Sequence, residues 1–296
     1  MAEIQSVLLV YILVGIYARK RKLLGDRERQ GFITFLLEIA LPCMVFHSFN
    51  QELTPERWKE AAVALAVAFG VCLVSMVLGK ILYRDFPFER QSVLRYGTLI
   101  SNCGFAGLPI TESAYGQMGL FYASIYIIPT RIFMWSSGIS LFTRADWKTR
   151  VKNVLLNPGI IAVELGLIRM LFQIPIHPVL ETAVTSLGST TTSISMVVIG
   201  SILADIDIRT VVDKGVLRLC FVRLIALPVA VLLVMKALHA GQTLTGVAVL
   251  LTGMPVGTTS ALLAEKYGAD HIFGSKCVFM TTVLSLFTVP LLSFFL

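Results

Sequence analysis

The chain has 296 residues, of which 56% are hydrophobic and 15% are charged, with a mean hydropathy of +0.79 and a net charge of +7. A soluble protein has about 25% charged residues, so this composition excludes a soluble globular protein and indicates an all-α polytopic membrane protein. At about 20 residues per membrane span, the length allows roughly ten helices and no sizeable soluble domain. The basic residues lie in short loops between apolar segments, which is a topology signal and argues against nucleic acid as a partner.

Ten candidate membrane spans follow from the apolar segments taken in chain order. They are residues 3–18, 31–48, 61–83, 93–116, 119–143, 154–173, 178–203, 213–236, 243–265 and 272–296. The loops after odd-numbered spans are rich in Lys and Arg, and the loops after even-numbered spans contain few of them. The positive-inside rule therefore places the odd loops in the cytoplasm and both termini outside, in a plasma membrane or a bacterial inner membrane.

A basic loop, residues 144–153, divides the chain into two parts of similar length, residues 1–143 and 154–296. Each part contains five candidate spans. Because five is odd, the second part enters the lipid bilayer in the opposite direction from the first, as in an inverted-topology repeat. The sequence therefore predicts two inverted five-helix repeats joined by a cytoplasmic linker.

The fourth span of each half contains residues that disrupt an α-helix. Pro109 follows Gly107 in the first half, and Pro255 lies between two glycines in the second. Unpaired backbone groups in lipid cost several kcal/mol each, so such breaks persist where they are buried in protein or line a watery cavity. Either break alone could be only a kink. Because both have the same ordinal position, they predict a substrate site where two broken helices meet.

Polar side chains near the two breaks are candidate substrate ligands. Asn102 is near the first break, and Thr258, Thr259 and Ser260 follow the second. The amide ends of broken helices carry partial positive charge and suit an anion such as a carboxylate, which these neutral groups would orient. The alternative is that hydroxyls and Asn bond local carbonyls or neighbouring helices.

Few ionisable residues lie within the predicted spans, and each is a candidate functional group. Arg131, in the fifth span, could neutralise an anionic substrate, or could pair with Glu38 or Glu164 for structural reasons. Glu38 and Glu164 could carry protons if transport is proton-coupled, or could form buried structural pairs. Arg223, in the eighth span, could take part in charge coupling at the cavity or extend towards a membrane surface.

The sequence lacks the motifs of common enzyme classes. It contains no HExxH, GxSxG, CxxC, Walker or dinucleotide-binding motif. Its five cysteines lie apart in apolar segments, and we interpret them as buried hydrophobic residues rather than disulfides or metal ligands. The sequence therefore predicts neither an enzyme nor a bound metal or cofactor.

Several ordered motifs resemble the auxin efflux carrier family, which includes plant PIN transporters and bacterial permeases for malate, malonate and similar acids. The resemblance covers nearly the whole chain. It depends on residues 102–109 (NCGFAGLP), on Asn157 and Pro158, and on residues 254–270 (MPVGTTSALLAEKYGAD). The chain differs from the plant carriers because it lacks a long loop between its halves and is more polar at residues 258–260. These differences indicate a bacterial-type member and make auxin a less suitable substrate.

The resemblance implies ten helices in two inverted repeats, similar to bile-acid transporters and sodium/proton antiporters, with spans four and nine crossing at Pro109 and Pro255. It implies a scaffold of spans one, two, six and seven that forms a homodimer, and a mobile transport unit of the other six. The implied function is elevator-type secondary transport of a small mono- or dicarboxylate, with Asn102 at the crossover. A ligand sensor and a sodium-coupled organic anion symporter are the alternatives, and the coupling ion, H⁺ or Na⁺, stays open.

Overall fold

The computed structural model describes residues 2–50, 54–138, 140–142, 156–205, 211–257 and 259–295. These residues are mostly helical, and their β-structure is limited to one isolated bridge. The helices are α1 (Ala2–Lys20), α2 (Asp26–Ser48), α3 (Pro55–Leu82), α4 (Phe88–Leu99), α5 (Leu108–Phe133), α6 (Pro158–Phe172), α7 (Pro178–Leu203), α8 (Lys214–Ala237), α9 (Gln242–Thr252), α10 (Thr259–Lys266) and α11 (His271–Ser293). The predicted linker, residues 144–153, lies outside the described residues.

Five of the described helices, α2, α3, α7, α8 and α11, are long enough and apolar enough to cross a membrane. Large apolar side chains such as Val14, Val77 and Phe287 are exposed on the outer surfaces of α1, α3 and α11. Exposing such apolar surfaces to water would be unfavourable, whereas contact with lipid tails is favourable. The chain is therefore a polytopic membrane protein, as the composition predicts, and the residues that the structure describes are mostly helical.

Among the described helices, three have a π-helical turn directly before a Leu-Pro pair. The turns are Leu36–Ala40 in α2, Cys103–Gly107 before α5, and Val222–Ala226 in α8. Proline cannot donate to the carbonyl four residues back and its ring crowds that carbonyl, and the wider π turn relieves the conflict without ending the helix. Pro109 therefore lies inside a continuing helix, and the interruption of the fourth span lies earlier, between Leu99 and Cys103. This corrects the prediction of a break at Pro109.

Helix α5 changes direction at Gly116, which has a φ of 62° and a ψ of −155°. Glycine adopts this conformation without the steric cost that a side chain would bring. The kink lies where the sequence predicts the boundary between the fourth and fifth spans, at residues 116–119. Helix α5 therefore includes the second part of the fourth span and most of the fifth.

Helices α1, α2, α6 and α7 pack on one another, and we call them the first helix group. The backbones of α1 and α7 approach closely at Gly15 and Gly200, where a Cβ atom would overlap a carbonyl of the opposite helix. The second helix group contains α3, α4, α5 and α8 to α11, joined by contacts of α3 with α4 and α5, of α9 with α5 and α8, and of α11 with α8 and α10. The two groups meet where α2 and α6 contact α5, and where α7 contacts the turn Cys103–Gly107.

Candidate functional site

The interruptions of the fourth and ninth spans meet inside the protein. Helix α4 ends at Leu99 and α9 ends at Thr252, and beyond these ends Ser101 and Val256 form an antiparallel bridge. We call this meeting point the crossing. It brings together two segments that are distant in sequence and places the ends of four short helical segments near one another.

Two backbone hydrogen bonds hold the crossing together. The amide of Asn102 donates to the carbonyl of Pro255 at 2.7 Å, and the amide of Gly257 donates to the carbonyl of Ile100 at 3.2 Å. These bonds satisfy groups that would otherwise be exposed to an apolar interior at a cost of several kcal/mol. Each interrupted segment therefore supplies hydrogen-bond partners for the backbone of the other, and this is why extended backbone is tolerated here.

A cavity of about 310 Å³ lies beside the crossing, between the two helix groups. Asn102 and Thr259 line it from the crossing, Arg131 from α5, Glu38 from α2, and Asn157 from the start of α6. Most of the other lining residues are apolar. A mostly apolar pocket with a few converging polar groups is typical of small-molecule sites.

Arg131 is half-buried and reaches the cavity beside the first interruption. Its Nη2 atom lies against Gly104, where a methyl group would overlap it. Within the described part of the chain, the Arg131 side chain has no hydrogen bond and no salt bridge. A guanidinium has five N–H donors and stays charged, so its position in the membrane interior favours an anion or water as its partner.

Three further polar residues contribute to the cavity wall. Glu38 is exposed, and its carboxylate forms no salt bridge with any residue that the structure describes. The Thr259 hydroxyl shares a hydrogen bond with the hydroxyl of Tyr96 at 2.8 Å. Asn157 accepts a hydrogen bond from the amide of Gly159 at 3.1 Å and so begins α6, which leaves its side-chain amide for other acceptors.

The sequence predicts no site role for Asn157, which belongs only to a family motif. An Asn before a Pro at the start of a helix is a capping signal, and that signal gives no information about a cavity. Only the packing of α6 against α2 and α5 brings this side chain to the site.

Four of the described residues that the sequence predicts to bind substrate do not line the cavity. Gly107 and Pro109 are buried beyond the crossing, and Pro255 contributes its backbone carbonyl to it. Ser260 is buried, and its hydroxyl has no hydrogen-bond partner within the described ranges. Thr258 lies outside the described residues.

Two of the predicted coupling residues are also away from the cavity. Glu164 lies on the exposed face of α6 and is not paired with Arg131. Arg223 is 2% exposed and donates hydrogen bonds to the carbonyls of Thr98 at 2.9 Å and Met254 at 3.2 Å. Arg223 therefore neither faces the cavity nor extends to a membrane surface, which corrects both alternatives that the sequence left open.

A family model for a membrane transport protein matches residues 4–153 and 147–293, which together cover nearly the whole chain. The chain belongs to this family. The resemblance to the auxin efflux carriers is thereby confirmed. The family and the names of its members also confirm that the chain is a transporter-type protein and not an enzyme.

Three relatives align with almost the entire chain. An uncharacterized transporter of Methanothermobacter thermautotrophicus is 26% identical over 99% of this chain and 98% of its own length. The uncharacterized transporter MJ1031 of Methanocaldococcus jannaschii is 21% identical, over 98% of this chain and 96% of its own. YfdV, an uncharacterized transporter of Escherichia coli, is 22% identical, over 96% and 94% respectively. Their names state transport and give no substrate.

Proposed function

We propose that this chain is a secondary transporter of a small organic anion, a mono- or dicarboxylate, which binds in the cavity beside the crossing. One observation carries the proposal. Arg131 presents its guanidinium to this cavity with no acceptor from the described residues. A substrate carboxylate would supply the missing acceptor through paired, charge-assisted hydrogen bonds.

The first interruption supports an anion at the same place. The turn Cys103–Gly107 begins beside the cavity, and the first amides of a helical segment have no acceptor within that segment. Asn102 precedes this turn and lines the cavity, and its side chain does not cap the turn. Its side-chain amide could donate to the same carboxylate that Arg131 binds.

The size of the cavity supports a small substrate. Ligand pockets range from about 300 to 1,000 Å³, and the cavity here, at about 310 Å³, lies at the lower end. A cavity of this volume suits a small organic acid.

The position of the cavity between the two helix groups supports alternating access by an elevator-type movement. The crossing and Arg131 belong to the second helix group, and Glu38 and Asn157 belong to the first. In the proposed arrangement, residues 1–143 and 154–296 form inverted repeats with ten spans, the first group is a dimeric scaffold, and the second group is the transport unit. Both termini would lie on the extracytoplasmic side of a bacterial inner membrane.

A two-stage experiment tests this function. The purified protein is screened with short mono- and dicarboxylates for a rise in its thermal unfolding midpoint, because a ligand that binds the folded state stabilises it. The acid that stabilises it is then radiolabelled for uptake into proteoliposomes containing the wild type, Asn102→Ala or Arg131→Met. We expect saturable uptake, reduced at least about tenfold in Arg131→Met because a charge-assisted hydrogen bond contributes more than about 1.4 kcal/mol.

Glu164→Gln is the matched control, because Glu164 is ionisable and predicted to lie within a span but is outside the cavity. Its uptake is expected to equal that of the wild type. Uptake by Arg131→Met at the wild-type rate would show that the anion does not bind in this cavity. Stabilisation by an acid without uptake would indicate a ligand sensor.

A further inference from the structure

Arg223 lies in the π turn Val222–Ala226 of α8 and contacts both interrupted spans. Its Nη1 donates to the carbonyl of Thr98 at 2.9 Å and its Nε donates to the carbonyl of Met254 at 3.2 Å. Among the residues that the structure describes, no carboxylate forms a salt bridge with it. A buried guanidinium without a carboxylate needs other negative groups to offset the cost of its burial.

The two acceptors belong to the carbonyl ends of the two interrupted helices. Thr98 is in the last turn of α4, and Met254 follows the end of α9. The carbonyl end of a helix carries roughly half a negative charge, so two such ends together offset about one positive charge. Arg223 therefore supplies the cation that the two ends require.

The amide ends of the same interrupted spans lie at the cavity. Cys103 and Thr259, where the next helical segments begin, both line it, whereas Thr98 and Met254 do not. The crossing thus separates its partial charges: the negative ends contact Arg223, and the positive ends are beside the space where a ligand would bind.

The local sequence holds Arg223 in this position. Pro228 cannot donate a backbone hydrogen bond, and the π turn that precedes it keeps the helix continuous. Val222, Arg223 and Leu224 are all buried, so the widened turn presents three consecutive side chains to the interior. The position of the guanidinium is therefore fixed by helix geometry as well as by its two hydrogen bonds.

We propose that Arg223 is a positioning residue that makes the cavity selective for anions. By neutralising both carbonyl ends, it leaves the amide ends and Arg131 as the uncompensated charges next to the cavity. Without Arg223, the partial charges of the crossing would largely cancel, and the cavity would lose much of its attraction for an anion. The inference rests on the proposed function for its biological meaning, but the charge preference of the cavity is measurable without a known substrate.

The test uses a cysteine reporter and two thiol reagents of opposite charge. The five native cysteines are replaced by Ala, and Leu37→Cys is introduced because Leu37 lines the cavity and is 39% exposed. The modification rates with the anionic sulfonatoethyl and the cationic trimethylammonioethyl methanethiosulfonates are each divided by the rate with a free thiol in solution. The ratio of the two normalised rates reports the electrostatic potential of the cavity.

We expect a ratio that favours the anionic reagent. Arg223→Gln should lower the ratio on the order of tenfold, the size expected when one charge acts across a partly hydrated site on reagents of opposite sign. Arg223→Lys, which keeps the charge, should retain most of the preference. A purely structural role of Arg223 would change both rates together and leave the ratio as in the wild type, and that result would overturn the proposal.

If Arg223→Gln does not fold, the same ratio measured in Arg131→Met tests the proposal. An anionic preference that persists without Arg131 supports the helix ends as its source. A preference abolished by Arg131→Met alone would assign the potential to that side chain and overturn the role of Arg223. Because no substrate is involved, a failure to find a transported acid would leave these ratios unchanged, so the two proposals fail separately.

Discussion

Arg131 and Arg223 are both close to the crossing, but their surroundings are opposite. Arg223 is almost fully buried and donates to two backbone carbonyls, whereas Arg131 is half-buried beside Gly104 and has no acceptor among the described residues. The difference shows how one residue type serves two purposes in a membrane interior. An arginine with fixed acceptors stabilises the fold, and an arginine that faces a cavity without them is available to a ligand.

The contrast extends to the helix ends that each arginine meets. Arg223 contacts the carbonyl ends of α4 and α9, where a cation is favourable. Arg131 lies against Gly104 in the turn Cys103–Gly107, near an amide end, where another cation is unfavourable. An anion between Arg131 and this end would relieve the repulsion, so the site is incomplete without a ligand.

The largest expected effect separates the two arginines by stability. Arg223→Met leaves two buried carbonyls without donors and should lower the free energy of unfolding by about 2–5 kcal/mol. Arg131→Met removes no hydrogen bond within the described structure and should change it by about 0.5 kcal/mol or less. Thermal unfolding midpoints of both variants in the same detergent provide the measurement. An equal loss of stability in the two variants would contradict the different roles of the two arginines.

The sequence alone predicts much of the architecture around these arginines. Spans of about 20 apolar residues are visible as composition, and the glycines and prolines of the fourth and ninth spans indicate interrupted helices. Pro255 does lie at the crossing. The predicted break at Pro109 is wrong because a π turn can accommodate a proline, and sequence patterns do not distinguish that outcome from a break.

The roles of the arginines were harder to predict. Both lie near the middle of a predicted span, so a hydropathy profile does not distinguish them. Their partners, the carbonyls of Thr98 and Met254 for Arg223, are backbone atoms of other helices, and backbone acceptors leave no signature in side-chain sequence. Asn102 was easier to place because an amide is costly in an apolar span unless it has a partner, and it lines the cavity.

A smaller effect is expected from two buried tyrosines that form similar hydrogen bonds. The Tyr96 hydroxyl bonds Thr259 at 2.8 Å, and the Tyr126 hydroxyl bonds Thr252 at 2.7 Å. Each Tyr→Phe change should cost about 1 kcal/mol of stability. Only Thr259 lines the cavity, so Tyr96→Phe alone should also alter the affinity for a stabilising acid. A ligand titration monitored by thermal shift measures the affinity of both variants. An affinity change of equal size in Tyr126→Phe would show that the effect does not depend on Thr259.

The smallest effect is expected at an ion-pair cluster that does not line the cavity and is partly exposed, so that solvent weakens its interactions. Arg19 and Arg29 each approach Asp205 at 2.6 Å, which ties the ends of α1 and α7 to the start of α2. Burial raises the pKa of Asp205, but the hydrogen bonds from both arginines outweigh it and hold that pKa below its ordinary value of 3.8. A lowered pKa in the folded state means that the charged form stabilises the fold above pH 3.8, and that this contribution disappears as the pH falls further.

Asp205→Asn should therefore lower stability by about 0.5–1 kcal/mol at pH 7 and low salt, less at high salt. The difference between the wild type and Asp205→Asn should shrink as the pH falls below 3.8 and through the lowered pKa of the folded state, because Asp205 then becomes protonated in the folded chain as well. Thermal unfolding of both proteins at a series of pH values isolates this residue, since every other carboxylate titrates equally in the two. A difference that stays constant down to the lowest pH would show that the loss comes from packing and not from the ion pairs.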